Sequence, residues 1–449
     1  MSRLFGTDGV RGVANEYLTP ELAFAVGRSA ATVLVAEADG RPIVVVGRDT
    51  RCSGTMLESA IVAGITSAGC DTVSLGIVPT PAVACVTRHE GAAAGVMISA
   101  SHNPVPDNGI KFFGADGFKL SDALEDTIEA AMTAGNGARP TGTAVGVART
   151  AANLGRWYYA QLYEGAADLS GMRVIVDGAY GAAYAIAPYA LRKLGADVIE
   201  LHCENDGTRI NVDCGATHME SLEAAVRERI AAGERNVVGV AFDGDADRAL
   251  FVDEEGCRLS GDHVMYALAT ALHDTGTLPG DTIVGTVMSN IGFERALQAR
   301  GIALERTAVG DRYVLERMRE GGFVLGGEQS GHIIDLLTNT TGDGPMTAVT
   351  LLGVAARAGV RLHDLAREVV IAPQLLVNVK TRSKDVLQRA AVRRAIEEAE
   401  ARLGKDGRLL VRPSGTEPLV RVMAEGSERA LVDDVVASVV GVIEREIRD

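Results

Sequence analysis

Four stretches of this chain hold the residue types most able to do chemistry: M-I-S-A-S-H-N-P (97 to 104), D-G-D-A-D-R (243 to 248), G-E-Q-S-G-H (327 to 332) and R-P-S-G-T-E-P (412 to 418). In the first, Ser101 stands beside His102, which suggests a nucleophile and its base. Neighbours on an extended chain point to opposite faces, however, and a nucleophile needs its base across a hydrogen bond in space. The chain also has no G-x-S-x-G elbow, so a Ser-His hydrolase is the weaker reading. In the second stretch Asp243, Asp245 and Asp247 recur at every second position after an apolar run. They would converge on a hard cation if the chain loops there, and Gly244 permits the turn. An EF-hand loop is the rival, with Glu254 at its twelfth position. Its sixth position would be Arg248 rather than the required glycine, and a strand rather than a helix leads in. Three carboxylates leave coordination positions on Mg²⁺ that water or phosphate oxygens fill.

The R-P-S-G-T-E-P loop, with Arg421 close behind, offers hydroxyls, backbone N–H groups and arginines able to grip a phosphate dianion; an ordinary Pro/Gly turn capped by Ser414 fits the spacing equally well. G-E-Q-S-G-H sets Glu328, Ser330 and His332 on a glycine-bounded loop suited to sugar hydroxyls, although a polar surface turn is the common outcome for such a segment. G-T-D-G-V-R-G (6 to 12), G-R-D-T-R (47 to 51), N-G-I-K-F-F (108 to 113) and V-G-D-R (309 to 312) each place charge on a glycine-containing loop. Arg11 and Lys111 matter only if the fold brings them to the cleft of Ser101.

The elements that must position these loops can be read from apolar periodicity. Continuous apolar runs at 42 to 49, 95 to 100, 173 to 178, 237 to 245 and 281 to 287 suit strands covered on both faces. Helical spacing alternates with them at Thr19 to Ala38, Gly54 to Ala68, Met219 to Ala232, Gly261 to His273 and Pro345 to Ala358. The first of these opens on Thr19 as N-cap with Pro20 behind it. Strand, Gly/Asp loop and helix recur near 47, 177 and 287, which predicts three α/β units of related build. After Arg367 two long strands and two helices, the first from Lys384 to Leu403, predict a smaller α+β domain. The expected domains are 1–153, 154–256, 257–369 and 370–449.

Composition narrows the partners. A chain of 449 residues exceeds what one core fills, and no apolar run reaches the roughly eighteen residues of a membrane span. A net charge of −15 argues against nucleic acid and anionic membrane as partners. The N-terminus has no apolar export segment, and the six cysteines show no C-x-x-C pair, so the cytoplasm is the expected compartment.

Taken in order along the chain, from R-L-F-G-T-D-G-V-R-G to R-P-S-G-T-E-P-L-V-R-V, these segments resemble the phosphohexomutases of the α-D-phosphohexomutase superfamily. G-E-Q-S-G-H, with Gln329 where phosphomannomutase/phosphoglucomutases tend to have Met, and I-N-V-D-C-G-A-T-H-M-E (210 to 220) are most similar to the bacterial phosphoglucosamine mutase branch. D-G-A-Y-G-A (177 to 182) departs from the family's usual D-C-A-N-G-A, in a segment expected to shape a structural loop.

The resemblance implies three doubly wound α/β domains and a smaller fourth around a central cleft, with a hinge near residue 370. It implies interconversion of glucosamine 6-phosphate and glucosamine 1-phosphate, on the route to UDP-N-acetylglucosamine and the cell wall. Ser101 would carry the phosphoryl group as phosphoserine. Asp243, Asp245 and Asp247 would hold Mg²⁺ against it, and a glucosamine or glucose 1,6-bisphosphate would serve as intermediate or activator. Arg11, Lys111, Arg248 and His332 would assist transfer, by charge stabilisation or proton movement. His102 would contact phosphate or orient its loop. Gly310, Asp311, Glu328 and Ser330 would bind the sugar, and Arg412, Ser414, Gly415, Thr416 and Arg421 the phosphate that is not transferred. A homodimer is compatible with the resemblance. The alternatives are a phosphomannomutase/phosphoglucomutase of the same fold and a non-catalytic sugar-phosphate binding protein.

Overall fold

Each of the first three sheets contains a hairpin whose tip is one of the chemically suggestive loops. The structure is a computed structural model describing residues 3–6, 8–34, 41–135, 139–381, 383–414 and 418–448. In the first sheet the strands run in the order Val10–Val13, Asp107–Gly114, Ala94–Ile98, Ile43–Arg48, Asp71–Ile77 and Ala148–Thr150. The last four of these are parallel neighbours, and the apolar runs at 42 to 49 and 95 to 100 fall on two of them. Asp107–Gly114 instead turns back antiparallel on Ala94–Ile98, because the connection 99–106 is shorter than the dozen or so residues a crossover takes. That connection is the Ser101 loop.

Both faces of this sheet are covered. Val44, Val46, Val96, Ile98 and Ile110 pack on one side under the helices Pro20–Leu34, Gly54–Ser67 and Asp122–Ala134, while Val45, Met97 and Phe113 pack on the other with Thr80–His89. The first helix opens as its sequence suggests, with Thr19 Oγ1 accepting from the Leu22 N–H. It lies close on Gly54–Ser67 because Gly64 carries no side chain. A Cβ there would stand 2.3 Å from the Phe24 carbonyl oxygen.

The second sheet, in the order Arg258–Leu259, Ala249–Val252, Val237–Phe242, Arg173–Asp177, Asp197–Leu201, repeats the device. Val237–Phe242 is parallel to Arg173–Asp177 and antiparallel to Ala249–Val252. The strand stops at Phe242, and Asp243 begins the Gly/Asp loop that the sequence places after the apolar run. In the third sheet, ordered Ala303–Thr307, Thr282–Thr286, Leu325–Gly327, Ile333–Asp335, the last two strands form a hairpin around residues 328–332. The units are therefore α/β with mixed sheets rather than purely parallel ones.

The chain divides into two compact units, residues 1–288 with 302–367, and residues 289–301 with 368–449. The first holds the three α/β sheets. The second holds a three-stranded antiparallel sheet, in the order Gln374–Lys380, Leu419–Gly426, Gly407–Pro413, against which Ala390–Leu403 and Arg429–Arg448 bury Val392, Leu403, Val432, Val436 and Val439. Two strands were expected here. R-L-L-V-R-P and L-V-R-V-M-A-E pair with each other and with the strand at 374, giving three. The helix expected from Lys384 begins only at Ala390, after a short 3-10 turn over Lys384–Gln388. Among the described residues no helix is long and apolar enough to cross a membrane.

Candidate active site

Ser101 is buried at 2% exposure with φ +51°, a left-handed conformation that costs a non-glycine residue about 1–2 kcal/mol. Surrounding hydrogen bonds hold it there. Its N–H donates to Ser99 Oγ (2.9 Å), and its carbonyl accepts from Arg51 Nη2 (2.9 Å) and from Asn211 Nδ2 (2.9 Å). Arg51, fully buried, also donates to the carbonyls of Asn103 (2.8 Å), Pro104 (2.6 Å) and Asp107 (3.0 Å), and its Nε meets Asp49 Oδ2 at 3.0 Å. One guanidinium thus fastens the whole loop. With the backbone so fixed, Ser101 Oγ donates to Asp243 Oδ2 at 2.6 Å and stands 3.2 Å from His102 Nδ1. Burial, with Arg248 and Arg11 nearby, pushes the His102 imidazolium down to about 4, so His102 is a neutral neighbour.

Asp243, Asp245 and Asp247 are all buried, with one carboxylate oxygen of each lying within 4.8 Å of the others. Gly244 between them is demanded by close approach, since a Cβ there would stand 2.5 Å from the Ser101 carbonyl oxygen. Burial, then Asp247 and Asp245, push the Asp243 carboxyl well above the usual carboxylate range. Asp247 lies well below that range, because His332 and Lys111 outweigh its burial. Asp245 Oδ2 accepts from Thr80 Oγ1 (2.6 Å) and Lys111 Nζ (2.9 Å), whereas Asp245 Oδ1 and Asp247 Oδ1 are buried with no hydrogen-bond partner. Orphaned carboxylate oxygens in an all-oxygen cluster, beside a carboxyl that burial and its neighbours' charge push above the usual range, fit a hard divalent cation such as Mg²⁺.

Fixed positive charge surrounds the cluster. Lys111 Nζ is buried 2.9 Å from Asp245, 3.0 Å from Asp8 and 3.6 Å from Asp247. Although burial opposes it, these carboxylates raise the lysine above its ordinary range and keep it charged. Arg11 pairs with Asp8, and Arg248 Nε lies 3.9 Å from Asp247 Oδ1 while its backbone N–H donates to Asp243 Oδ1 at 3.2 Å. Lys119 bridges Asp8 (2.5 Å) and Asp311. His332 lies between Asp247 (3.6 Å) and Asp311 (3.5 Å), and Asp247 raises it above its ordinary value against the pull of burial. The loop 328–332 is tied in by the Ala249 N–H donating to the Gly331 carbonyl at 3.0 Å. Glu328 Oε1 accepts from the Gly310 N–H (3.1 Å), and Ser330 Oγ lies 3.4 Å from Glu328 Oε2.

In the second unit, Arg412 and Arg421 stand directly opposite each other on adjacent strands, and Ser414 follows in a buried position. Burial and Arg421 together lower Arg412 from its ordinary value. Facing like charges destabilise a sheet. Gly415 and Thr416 lie outside the described residues.

The structure therefore brings Ser101, His102, the three aspartates, Arg11, Lys111, Arg248, Asp311 and His332 into one network, with Gly310, Glu328 and Ser330 on its adjoining loops. Sequence reasoning passed over Asp8, Thr80, Lys119 and Asn211, and it singled out Arg51 only as one charge on a glycine loop. Asp8, Arg51 and Asn211 lay in quoted motifs; Thr80 and Lys119 carried no local signal.

Comparison with known proteins agrees with this geometry. Four phosphoglucomutase/phosphomannomutase descriptions match in order, alpha/beta/alpha domain I over residues 2–138, domain II over 158–256, domain III over 260–371 and the C-terminal domain over 376–442. The chain belongs to this phosphohexomutase family. Within it, the chain is 51% identical over 452 residues to the phosphoglucosamine mutase of Symbiobacterium thermophilum, covering 100% of both chains. It is 52% identical over 441 residues to that of Moorella thermoacetica, covering 97% of this chain and 98% of the relative. Among solved structures, a phosphoglucomutase/phosphomannomutase family protein of Burkholderia thailandensis matches with TM-score 0.82 at 23% identity, over 99% of this chain and 98% of that one, a likeness of fold.

Proposed function

We infer that this chain interconverts glucosamine 6-phosphate and glucosamine 1-phosphate. The reaction would use a phosphoserine at Ser101 and a bound 1,6-bisphosphate intermediate in the cytoplasm. The observation that carries the reading is Ser101 Oγ, held in a left-handed turn 2.6 Å from Asp243 within a buried three-carboxylate cluster. Phosphoserine carries about −1.5 to −2 charges at neutral pH and is a poor donor until they are neutralised. Asp243, Asp245 and Asp247 would hold a divalent cation, which supplies that neutralisation when bound.

The chain's own residues do the rest. Lys111, Arg11 and Arg248 present fixed positive charge to the equatorial oxygens of a loose transition state. Glu328 and Ser330 hold sugar hydroxyls, with Gly310 and Asp311 shaping that pocket. Arg412, Ser414, Gly415, Thr416 and Arg421 grip the phosphate that is not transferred. In the first half-reaction the phosphoserine P–O bond breaks as the sugar O1 bonds to phosphorus, and the proton that O1 gives up returns to Ser101 Oγ. The bisphosphate then turns end for end, Ser101 takes the 6-phosphoryl group, and O6 is reprotonated. Lys111 stays charged and stabilises the transferring oxygens, and His332 moves the proton. One serine serves both directions, and the domain limits we propose are 1–153, 154–256, 257–369 and 370–449.

Intact-mass measurement on protein purified from cells tests the reading. A fraction carrying one added phosphate is expected, absent in Ser101→Ala, and an assay across glucosamine, glucose and mannose 6-phosphates should favour glucosamine. Unphosphorylated Ser101 under every condition would sink the mechanism, whereas a preference for mannose 6-phosphate would overturn the substrate alone.

A further inference from the structure

A second group of metal-ligating side chains lies in the second sheet and shares no residue with the aspartate triad. Asp177 ends the strand Arg173–Asp177, and His202 directly follows its parallel neighbour Asp197–Leu201, whose Leu201 is in register with Asp177. Cys214 comes from the loop before the helix Glu220–Ala231. One ligand atom from each of the three lies within 4.8 Å of the others. Asp177 and Cys214 are fully buried, while the His202 side chain is 23% exposed and gives access from solvent. His202 Nδ1 is itself buried. It lies 3.1 Å from Asp177 Oδ1, a pairing that raises the imidazole above its ordinary value, and no other group hydrogen-bonds to it.

We propose that Asp177, His202 and Cys214 form a site for a borderline-soft divalent cation of the zinc type, chemically distinct from the magnesium-type aspartate cluster. One carboxylate oxygen, one imidazole nitrogen and one sulfur are the donor mixture that such ions take, with water in the fourth position. Bonds of about 2.0–2.3 Å to a tetrahedral centre place ligand atoms somewhat under 4 Å apart. The cluster needs only a contraction of about an ångström.

The carboxylate is already oriented for this role. Asp177 Oδ1 accepts from the Ala179 N–H (2.9 Å) and Oδ2 from the Gly215 N–H (3.0 Å), leaving a lone pair on each oxygen. Burial, aided by Asp177 and Asp213, pushes the Cys214 thiol up to about 12, so the thiol is protonated before the ion arrives. Binding therefore forms the metal–sulfur bond as the S–H proton leaves to solvent, with no change of oxidation state. The site also underlies the Ser101 loop. The Asn211 N–H donates to the Ala179 carbonyl (3.1 Å), and the Asn211 side chain grips the Ser101 carbonyl.

Metal-stripped full-length protein titrated with Co²⁺ under saturating Mg²⁺ tests the proposal, because Mg²⁺ occupies the all-oxygen cluster and only a thiolate ligand gives a near-ultraviolet sulfur-to-cobalt absorption band. The band is expected to saturate at one equivalent per chain. It should persist in Cys203→Ala, vanish in Cys214→Ala, and need at least ten times more Co²⁺ in His202→Gln. Turnover with Mg²⁺ alone should stay within twofold of the parent in these variants, which reports that they are folded. If Cys214→Ala does not fold, His202→Gln decides. Absence of the band in the parent, its survival in Cys214→Ala, or an unchanged titration in His202→Gln overturns the site.

Discussion

Replacing Arg51 with lysine isolates the clamp that holds the phosphoryl-carrying loop, without touching a residue assigned to substrate or metal. Arg51 donates to four backbone carbonyls, at Ser101, Asn103, Pro104 and Asp107, and pairs with buried Asp49. Lysine keeps the charge opposite Asp49 and so avoids the roughly 3–5 kcal/mol of stranding a buried carboxylate. Its single nitrogen cannot reach carbonyls spread from 101 to 107, and at least two contacts are lost. At about 1.5 kcal/mol for each charged hydrogen bond, the loss is about 3 kcal/mol, against a total stability of about 5–15 kcal/mol. The protein should fold with a lower denaturation midpoint. The kinetic effect is more telling. Ser101 would keep its left-handed turn on Asn211 and Ser99 alone, and a shift of about 1 Å at a reacting atom costs on the order of a hundredfold in rate. A coupled assay with glucosamine 6-phosphate should show kcat falling by about that factor with KM little changed, since Glu328 and Ser330 are untouched. Arg51→Lys with kcat within twofold of the parent and an unshifted midpoint would refute the reasoning.

Other expectations follow from the same geometry. Gly244→Ala drives a Cβ to 2.5 Å from the Ser101 carbonyl and 2.9 Å from Asn211 Nδ2, so turnover should collapse while thermal denaturation remains cooperative. Thr80→Val removes the 2.6 Å bond to Asp245, and the Mg²⁺ concentration needed for half-maximal activity should shift in a titration, by a factor of about ten for a contact of about 1.5 kcal/mol. Asp343 caps the helix Gly344–Ala358, and burial pushes its carboxyl up to about 6 from an unfolded value near 4. Its protonated form is the one the fold favours, so its stabilising contribution is complete below about pH 4 and lost as pH rises through 6. Asp343→Asn cannot ionise, and its stability deficit should shrink by about 2 kcal/mol between pH 4 and pH 7.5, followed by calorimetry. A pH-independent deficit would count against a buried, protonatable cap.

Much of the architecture was legible along the chain. Periodicity located the buried strands and the helices from Pro20, Gly54, Glu220, Gly261 and Gly344, because it reports directly which side of an element is covered. Periodicity says nothing about strand direction. The hairpins that carry Ser101, the aspartates and Glu328 became visible only through the shortness of their connections and the sheet partners they found. The missing third strand of the second unit has the same cause, since a strand is recognised by its neighbour as much as by its pattern.

For the chemistry, the amino-acid sequence by itself determined the reactive inventory: a serine on a proline-stiffened loop, three alternating carboxylates around a glycine, and an arginine-flanked hydroxyl loop. Their kinds and local spacing follow from the order of residues. Only the tertiary structure decided that Ser101 meets Asp243, that Arg51 and Asn211 hold it in a strained turn, and that Asp8, Lys119 and Asp311 link Lys111 to His332. These are interactions whose strength depends on distance and burial, and distances among residues 50 to 190 positions apart exist only once the chain has folded.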